Sequence, residues 1–282
     1  MLIFKTVPRL QNHLNKLKGE RNMIGFTPTM GALHDGHLSL IKKSLHENDF
    51  SVVSIFINPT QFNNLEDLQR YPYDIKNDIK LLETLNAEII LFIPNSYEIY
   101  SGNIKSEYFE FGKLDKYMEG KFRANHFKGV ATVVNKLFSI VKADKSYFGE
   151  KDFQQLRIIE NLVIAKKIQT KIVRCKTVRN DNGLALSSRN SKLNYSSKKI
   201  ATNLYKALNF VKINFEILEI INLKKKVIKI LSKFPEIKLD YIIIADEEFL
   251  VPCSLKKKNI KYRAFIAAYV SGVRLIDNIK LY

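Results

Sequence analysis

Half-cystine frameworks, membrane-length apolar runs and repeat-forming glycine or proline are all missing from this chain of 282 residues. Its 2 cysteines, Cys175 and Cys253, lie far apart, and no Cys-x-x-Cys occurs. One distant pair in a chain this long is not a disulfide scaffold. No stretch approaches the ~18 consecutive apolar residues needed to cross a bilayer. The opening Met1-Leu2-Ile3-Phe4-Lys5 has none of the long apolar core of a secretory leader. A reduced, cytoplasmic setting with no membrane partner is therefore expected. Only 11 Gly and 7 Pro are present, which excludes a collagen-like repeat.

Negative charge is also scarce. Asp and Glu number 28 against 46 Lys and Arg, a formal balance of +18. The chain is nonetheless 46% hydrophobic, which excludes an extended disordered polymer. A nucleic-acid footprint would be a dense basic patch interleaved with aromatics. The lysines are instead spread, with short runs only at Lys224–Lys226 and Lys256–Lys258. Drift toward Lys, Ile and Asn is the favoured explanation. Small anionic substrates come second, and a nucleic-acid partner is not expected.

A length of 282 residues suggests two domains. Strand-like runs at 24–27, 52–57, 88–93, 146–148 and 171–175 alternate with helical patterns at 38–45, 75–85, 130–141 and 153–167. In the helix at 130–141, Val130, Val133, Val134, Leu137, Phe138 and Val141 place one apolar stripe on one face. This alternation predicts an α/β fold, a Rossmann-like doubly wound parallel sheet over residues 1–176. The polar stretch Arg179-Asn180-Asp181-Asn182-Gly183 reads as a turn or linker. Helices at 197–213 and 223–234, with strands at 239–245 and 262–270, predict a smaller C-terminal α+β domain over 177–282.

The densest chemistry lies in Thr27-Pro28-Thr29-Met30-Gly31-Ala32-Leu33-His34-Asp35-Gly36-His37, between a strand and a helix. Gly31 and Gly36 let the backbone approach a ligand closely. A helix start offers unpaired N–H groups and partial positive charge to an anion. His34 and His37, three apart, can both donate to phosphate oxygens. The plainer reading makes them turn and cap residues. Zinc is disfavoured, since no cysteine or carboxylate stands at ligand spacing. The stretch is neither a Gly-x-Gly-x-x-Gly fingerprint nor a P-loop.

His-x-Gly-His in this position resembles the signature of the nucleotidyltransferase superfamily. Further motifs narrow the resemblance: Asn58-Pro59-Thr60-Gln61-Phe62, Glu119-Gly120 ahead of Arg123, His126-Phe127-x-Gly129-Val130, Gly149-Glu150-Lys151-Asp152-Phe153-Gln154-Gln155 and Leu186-Ser187-Ser188-Arg189-Asn190. In order and spacing they are similar to the pantoate–β-alanine ligase family over essentially the whole chain. The likeness is weakest from about Leu204 to Lys261.

The resemblance implies a cytoplasmic, homodimeric ligase that uses ATP and Mg²⁺ to join pantoate to β-alanine. It implies a pantoyl-adenylate intermediate, with AMP and pyrophosphate released. It places Met30, Gly31, Ala32, Leu33, His34, Asp35, Gly36 and His37 around ATP, with the histidines on the phosphates and His37 as a proton donor. Gly149 and Asp152 would meet the ribose, Lys151 the α-phosphate and Val178 the adenine, with Glu150 also counted in the ATP site. Leu186, Ser187, Ser188 and Arg189 would close over the phosphates from the second domain. Gln61 and Gln155 would hold pantoate. His34, His37 and Lys151 are thus the expected catalytic group.

Plainer readings make Gln61 and Gln155 surface amides, Lys151 a solvated lysine, Ser187-Ser188 a helix cap and His126 a satisfied histidine. Arg123 is a candidate anion contact, while His13 and His46 read as surface residues. Three positions depart from the family pattern: Tyr73 follows Tyr71-Pro72, Ala124 follows Arg123, and Asn77 with Asp78 beside it stands where an acidic residue is linked to magnesium. The alternatives are another transferase of the superfamily, which would not need Gln61 and Gln155, and an RNA-binding protein.

Overall fold

The computed structural model describes residues 1–282. Its internal contacts divide the chain into two units. The first comprises Met1–Phe111, Arg123–Glu150 and Gln155–Lys176. The second comprises Gly112–Phe122, Lys151–Gln154 and Thr177–Tyr282.

The first unit is built on a six-stranded, wholly parallel sheet: β1 (Leu2–Phe4), β2 (Ile24–Thr29), β3 (Phe50–Ile55), β4 (Ile89–Phe92), β5 (Lys145–Gly149) and β6 (Lys171–Cys175). Its helices are α1 (Val7–Gly19), α2 (Asp35–Glu47), α3 (Leu65–Gln69), α4 (Ile75–Glu83) and α5 (Ser96–Tyr100). After α6 (Glu119–Phe122), which belongs to the second unit, come α7 (His126–Val141) and α8 (Phe153–Ala165).

Spatial order in the sheet is β1-β4-β3-β2-β5-β6. The chain winds outward from β2 through β3 to β4, then restarts on the other side of β2 with β5 and β6. The switch point lies between β2 and β5, where such sheets open a ligand crevice beyond the strand C-termini. The four residues of β4 are all buried, as are Val52, Val53 and Ile55 of β3. Strands covered on both faces read as continuous apolar runs for this reason.

Pro28 sits inside β2, although proline cannot donate to a sheet ladder. β2 pairs with β5 only at Gly25 and Phe26, so Pro28 stands beyond that ladder and is paired on the β3 side alone. The stripe of α7 is buried as its spacing requires. The sequence pattern gave no sign of β1, and of α1 only a polar, helix-like segment around His13. β1 is three residues long with Leu2 and Ile3 exposed, too short for a periodicity.

The second unit packs α9 (Tyr195–Asn214) and α10 (Ile220–Leu231) on an antiparallel sheet of β7 (Ile237–Asp246), β8 (Tyr262–Val270) and β9 (Val273–Lys280). Leu204, Ala207, Leu208 and Val211 of α9 share one core with Leu223, Val227 and Leu231 of α10. β9 is an addition to the sequence reading. Its hairpin turns on Ser271 and Gly272, with φ of 48° and 82°. Two consecutive positive φ values suit the twist of a two-residue hairpin. No helix is long and apolar enough to cross a membrane.

Candidate active site

The corner between β2 and α2 is set by backbone conformation and one buried carboxylate. Gly31 and Ala32 both take positive φ, 82° and 49°. A side chain on Gly31 would put its Cβ 2.9 Å from Asp78 Oδ2 and 3.0 Å from Ile55 Cγ2. Asp78, fully buried on α4, accepts the Ala32 N–H at 2.9 Å and the Leu33 N–H at 2.6 Å. Burial raises its pKa, partly opposed by those two N–H groups. Thr29 Oγ1 donates to the Ser54 carbonyl at 2.8 Å and accepts the Gly31 N–H at 3.2 Å.

This geometry delivers the two histidines to the start of α2. His34 is its N-cap, and His34 Nδ1 accepts the Gly36 N–H at 3.1 Å. The cap reading of His34 is thus part of the truth: with Nδ1 accepting, the neutral ring carries its proton on Nε2. The His34 and His37 rings lie 4.1 Å apart between centroids, tilted by 34°. Both are half-buried, Met30 and Ala32 beside them likewise, whereas Asp35 is exposed.

The exit from β3 carries a second polar group. Gln61 is 7% exposed, so it is no surface amide. Asn58 Nδ2 donates to Gln61 Oε1 at 3.0 Å and to the Gly129 carbonyl at 3.1 Å. Gln61 Nε2 points to Met30 Sδ at 2.8 Å, which joins this group to the β2 corner. A Cβ on Gly129 would fall 2.2 Å from the Thr60 carbonyl, so the start of α7 can lie against this loop only as glycine.

His126 is buried, with Nδ1 2.7 Å from the Gln61 carbonyl and Nε2 3.0 Å from Arg123 Nη1. A guanidinium has no acceptor, so Nε2 takes that bond with its lone pair and Nδ1 carries the proton. His126 is the satisfied histidine of the plainer reading, placed to hold the Gln61 backbone. Gln155 is half-buried on α8, and Gly149 closes β5 at the switch point with open space around its Cα. Glu150 follows it, half-buried.

The second unit holds the remaining expected site residues. Lys151 is half-buried, its Nζ 3.4 Å from Asp152 Oδ1, and its carbonyl accepts from Asn278 Nδ2 at 2.8 Å. Val178 and Leu186 are joined across a short hairpin by the Leu186 N–H donating to the Val178 carbonyl at 3.0 Å. Arg179 anchors the hairpin: it donates to Asp277 at 2.6 and 2.9 Å and lies 4.0 Å over the Tyr205 ring. Ser187 caps the 3₁₀ turn Ser188–Lys192, its Oγ accepting the Arg189 N–H at 3.3 Å. Ser188 and Arg189 are half-buried beside it.

His46 is exposed as expected, but His13 is half-buried and stacks on Phe4 at 5.2 Å. Asp78, Asn58, Tyr100 and Arg179 received no role in the sequence reading. Asn58 had a signal, since it stands in the Asn-Pro-Thr-Gln-Phe run; the other three had none that local pattern could show.

Comparison with known proteins identifies the family. A family model described as Pantoate-beta-alanine ligase matches residues 2–280. A pantothenate synthetase of Flavobacterium psychrophilum is 47% identical over 281 residues, covering all of both chains. One from Thermotoga petrophila is 42% identical over 281 residues, covering 99% of each. Among solved structures, a Thermus thermophilus pantothenate synthetase shares 37% identity and superposes with a TM-score of 0.91 over the whole of both chains. A Francisella tularensis pantoate-beta-alanine ligase, complexed with beta-gamma ATP and beta-alanine, is 40% identical with a TM-score of 0.82, covering 100% of this chain and 98% of the other. Full-length similarity of this order, on the same parallel sheet with its small antiparallel companion, settles the family: the chain belongs to the pantoate–β-alanine ligases, enzymes that form a C–N bond between an acid and an amine.

Proposed function

We propose that this protein binds ATP, activates pantoate as pantoyl adenylate, and transfers the pantoyl group to β-alanine. The observation that carries the proposal is the imidazole pair at the start of α2, at the switch point of the parallel sheet. A carboxylate is a poor acyl donor, because oxide would have to leave. In the first step a pantoate oxygen attacks the α-phosphorus, and the bond to the bridging oxygen breaks to release pyrophosphate. In the second the β-alanine amine attacks the acyl carbon, loses a proton and expels AMP. Both steps demand that negative charge be gathered and neutralised.

The residues are assigned accordingly. His34, with Nδ1 held by Gly36, offers Nε2–H to a phosphate oxygen. His37 is the proton donor toward the leaving pyrophosphate, and residues 30–37 surround the triphosphate. Lys151 is placed on the α-phosphate as a compact charge. Gly149 and Asp152 are assigned to the ribose, Glu150 to the ATP site beside them, Val178 to the adenine, and Leu186, Ser187, Ser188 and Arg189 to the phosphates. We assign residues 177–282 to a domain that closes during turnover. Gln61 and Gln155 are assigned to the pantoate hydroxyls and carboxylate. The enzyme is proposed to work in the cytoplasm as a homodimer.

Magnesium would accompany ATP, but the chain does not offer it a cage. No three His, Cys, Asp or Glu side chains come together as a metal site. Position 77 is asparagine, and both oxygens of Asp78 already accept backbone N–H groups. The ion is therefore assigned to phosphate oxygens and water, and no step is derived through it.

The test is pantoate-dependent exchange of labelled pyrophosphate into ATP, run without β-alanine. Exchange is expected, followed on addition of β-alanine by AMP and pantothenate in equal amounts. No exchange with pantoate would defeat the adenylate reading and point to another acid as substrate.

A further inference from the structure

Gln61 carries an amide, and an amide can present either a donor or an acceptor to a ligand. The residues behind it decide which. Asn58 is 1% exposed, and its own amide lies between two backbone groups of fixed polarity. On one side the Thr60 N–H stands 3.4 Å from Oδ1; on the other the Gly129 carbonyl stands 3.1 Å from Nδ2. Nδ2 must therefore face Gly129, and its second proton meets Gln61 at 3.0 Å. The Gln61 atom that receives it must be the carbonyl oxygen. The NH₂ of Gln61 is left facing Met30 Sδ, and a thioether is a weak acceptor that a ligand oxygen can replace. Gln61 thus offers donors to a ligand, while its oxygen is engaged inside the protein.

The Thr60 N–H bond is long, and the Thr60 hydroxyl reaches Oδ1 at 3.1 Å, so Thr60 holds Asn58 only in part. The short bond comes from a different element. Tyr100, 4% exposed at the end of α5, donates its hydroxyl to Asn58 Oδ1 at 2.5 Å and lies 3.0 Å from Thr60 Oγ1. Burial raises the phenol pKa, which keeps the proton on the oxygen at neutral pH.

We propose that Tyr100 is a positioning residue for pantoate: by gripping Asn58 it holds the Gln61 amide with its N–H groups toward the substrate oxygens. Tyr100 touches no substrate and acts only through Asn58. The proposal rests on the assignment of Gln61 to pantoate, so its test carries a control for that assignment.

The experiment compares steady-state kinetics of the wild type, Tyr100→Phe, Gln61→Ala and the double variant, with a thermal melt of each. Tyr100→Phe removes one oxygen and keeps the ring. Loss of one buried hydrogen bond should raise the pantoate KM by about tenfold. KM values for ATP and β-alanine should stay within about twofold. In the Gln61→Ala background, Tyr100→Phe should add nothing, since its route to the substrate is gone. Equal rises in all three KM values, additive effects in the double variant, or an unfolded Tyr100→Phe protein would each overturn the positioning role. An unchanged pantoate KM in Gln61→Ala would instead overturn the assignment of Gln61, whatever Tyr100→Phe does.

Discussion

His34 commits Nδ1 to the Gly36 N–H at 3.1 Å, so the ring proposed to donate to phosphate is also a helix cap. His37 lies inside α2 and is not its N-cap residue, which makes it the cleaner probe of chemistry. His37→Ala should lower the adenylation rate by roughly 10²–10⁴-fold, the range of lost proton transfer or phosphate stabilisation. Pyrophosphate exchange measures the rate, and an unchanged circular dichroism spectrum shows that the fold is kept. A near wild-type rate would remove His37 from the mechanism.

Cys175 is a residue-scale case of the opposite kind. It is 6% exposed, and burial pushes its thiol up to about 11. The native state therefore prefers the protonated thiol. Stability from this group is complete below the free-thiol value of roughly 8.5 and falls as pH rises toward 11, because the unfolded thiol ionises first. At pH 8 the thiolate fraction should be on the order of 10⁻³. Iodoacetamide should leave Cys175 unlabelled in the native protein at that pH and label it on unfolding, read by peptide mass spectrometry. Rapid native labelling would contradict the burial.

At the scale of elements, the corner between β2 and α2 is held from α4. Asp78→Ala would remove the carboxylate that accepts the half-buried Ala32 and the buried Leu33 N–H groups. A cost of about 2–5 kcal/mol is expected in urea unfolding, with a higher ATP KM as the 30–37 segment loosens. A stability change under about 0.5 kcal/mol would show that another group supports the corner. This brace was not readable locally: Asp78 lies 46 and 45 positions from its partners, and nothing in the spacing of a helix names them. The α7 stripe was readable, because its period follows from helix geometry alone. β9 was not, since its alternation is interrupted by Asp277 and Asn278, which are buried for the partners they hold.

At the scale of the whole molecule, an ion pair on the buried Glu119 fastens a distant segment into the second unit. Arg274 of β9 donates to both oxygens of Glu119 at 2.7 Å and to Asp240 at 2.8 Å. The Tyr241 hydroxyl donates to Glu119 at 2.9 Å, its phenol pKa raised by burial. Gln154 completes the fastening: its Oε1 accepts the Glu119 N–H at 3.0 Å, and its Nε2 donates to the Leu114 and Tyr117 carbonyls. Glu119→Ala should destabilise the protein by about 2–4 kcal/mol, because the half-buried Arg274 would lose its main partner. Calorimetry measures this, and a melting temperature within about 2 °C of wild type would show that water or Asp240 suffices. Such a pair cannot be read from composition, where a net charge of +18 says only that cations are in excess.

Taken alone, the sequence determined the alternation of strands and helices, the apolar faces, and an ordered set of motifs specific enough to name the family. Those are local properties: a period, a turn residue or a tetrapeptide carries its meaning within a few positions. Tertiary structure decided the strand order, the brace from Asp78, the direction of the Gln61 amide and the anchoring of the Val178–Leu186 hairpin by Arg179. Each of these depends on which polar group meets which across long stretches of chain. In a buried place the partner's polarity, more than the residue's own type, determines what an amide, imidazole or carboxylate can offer.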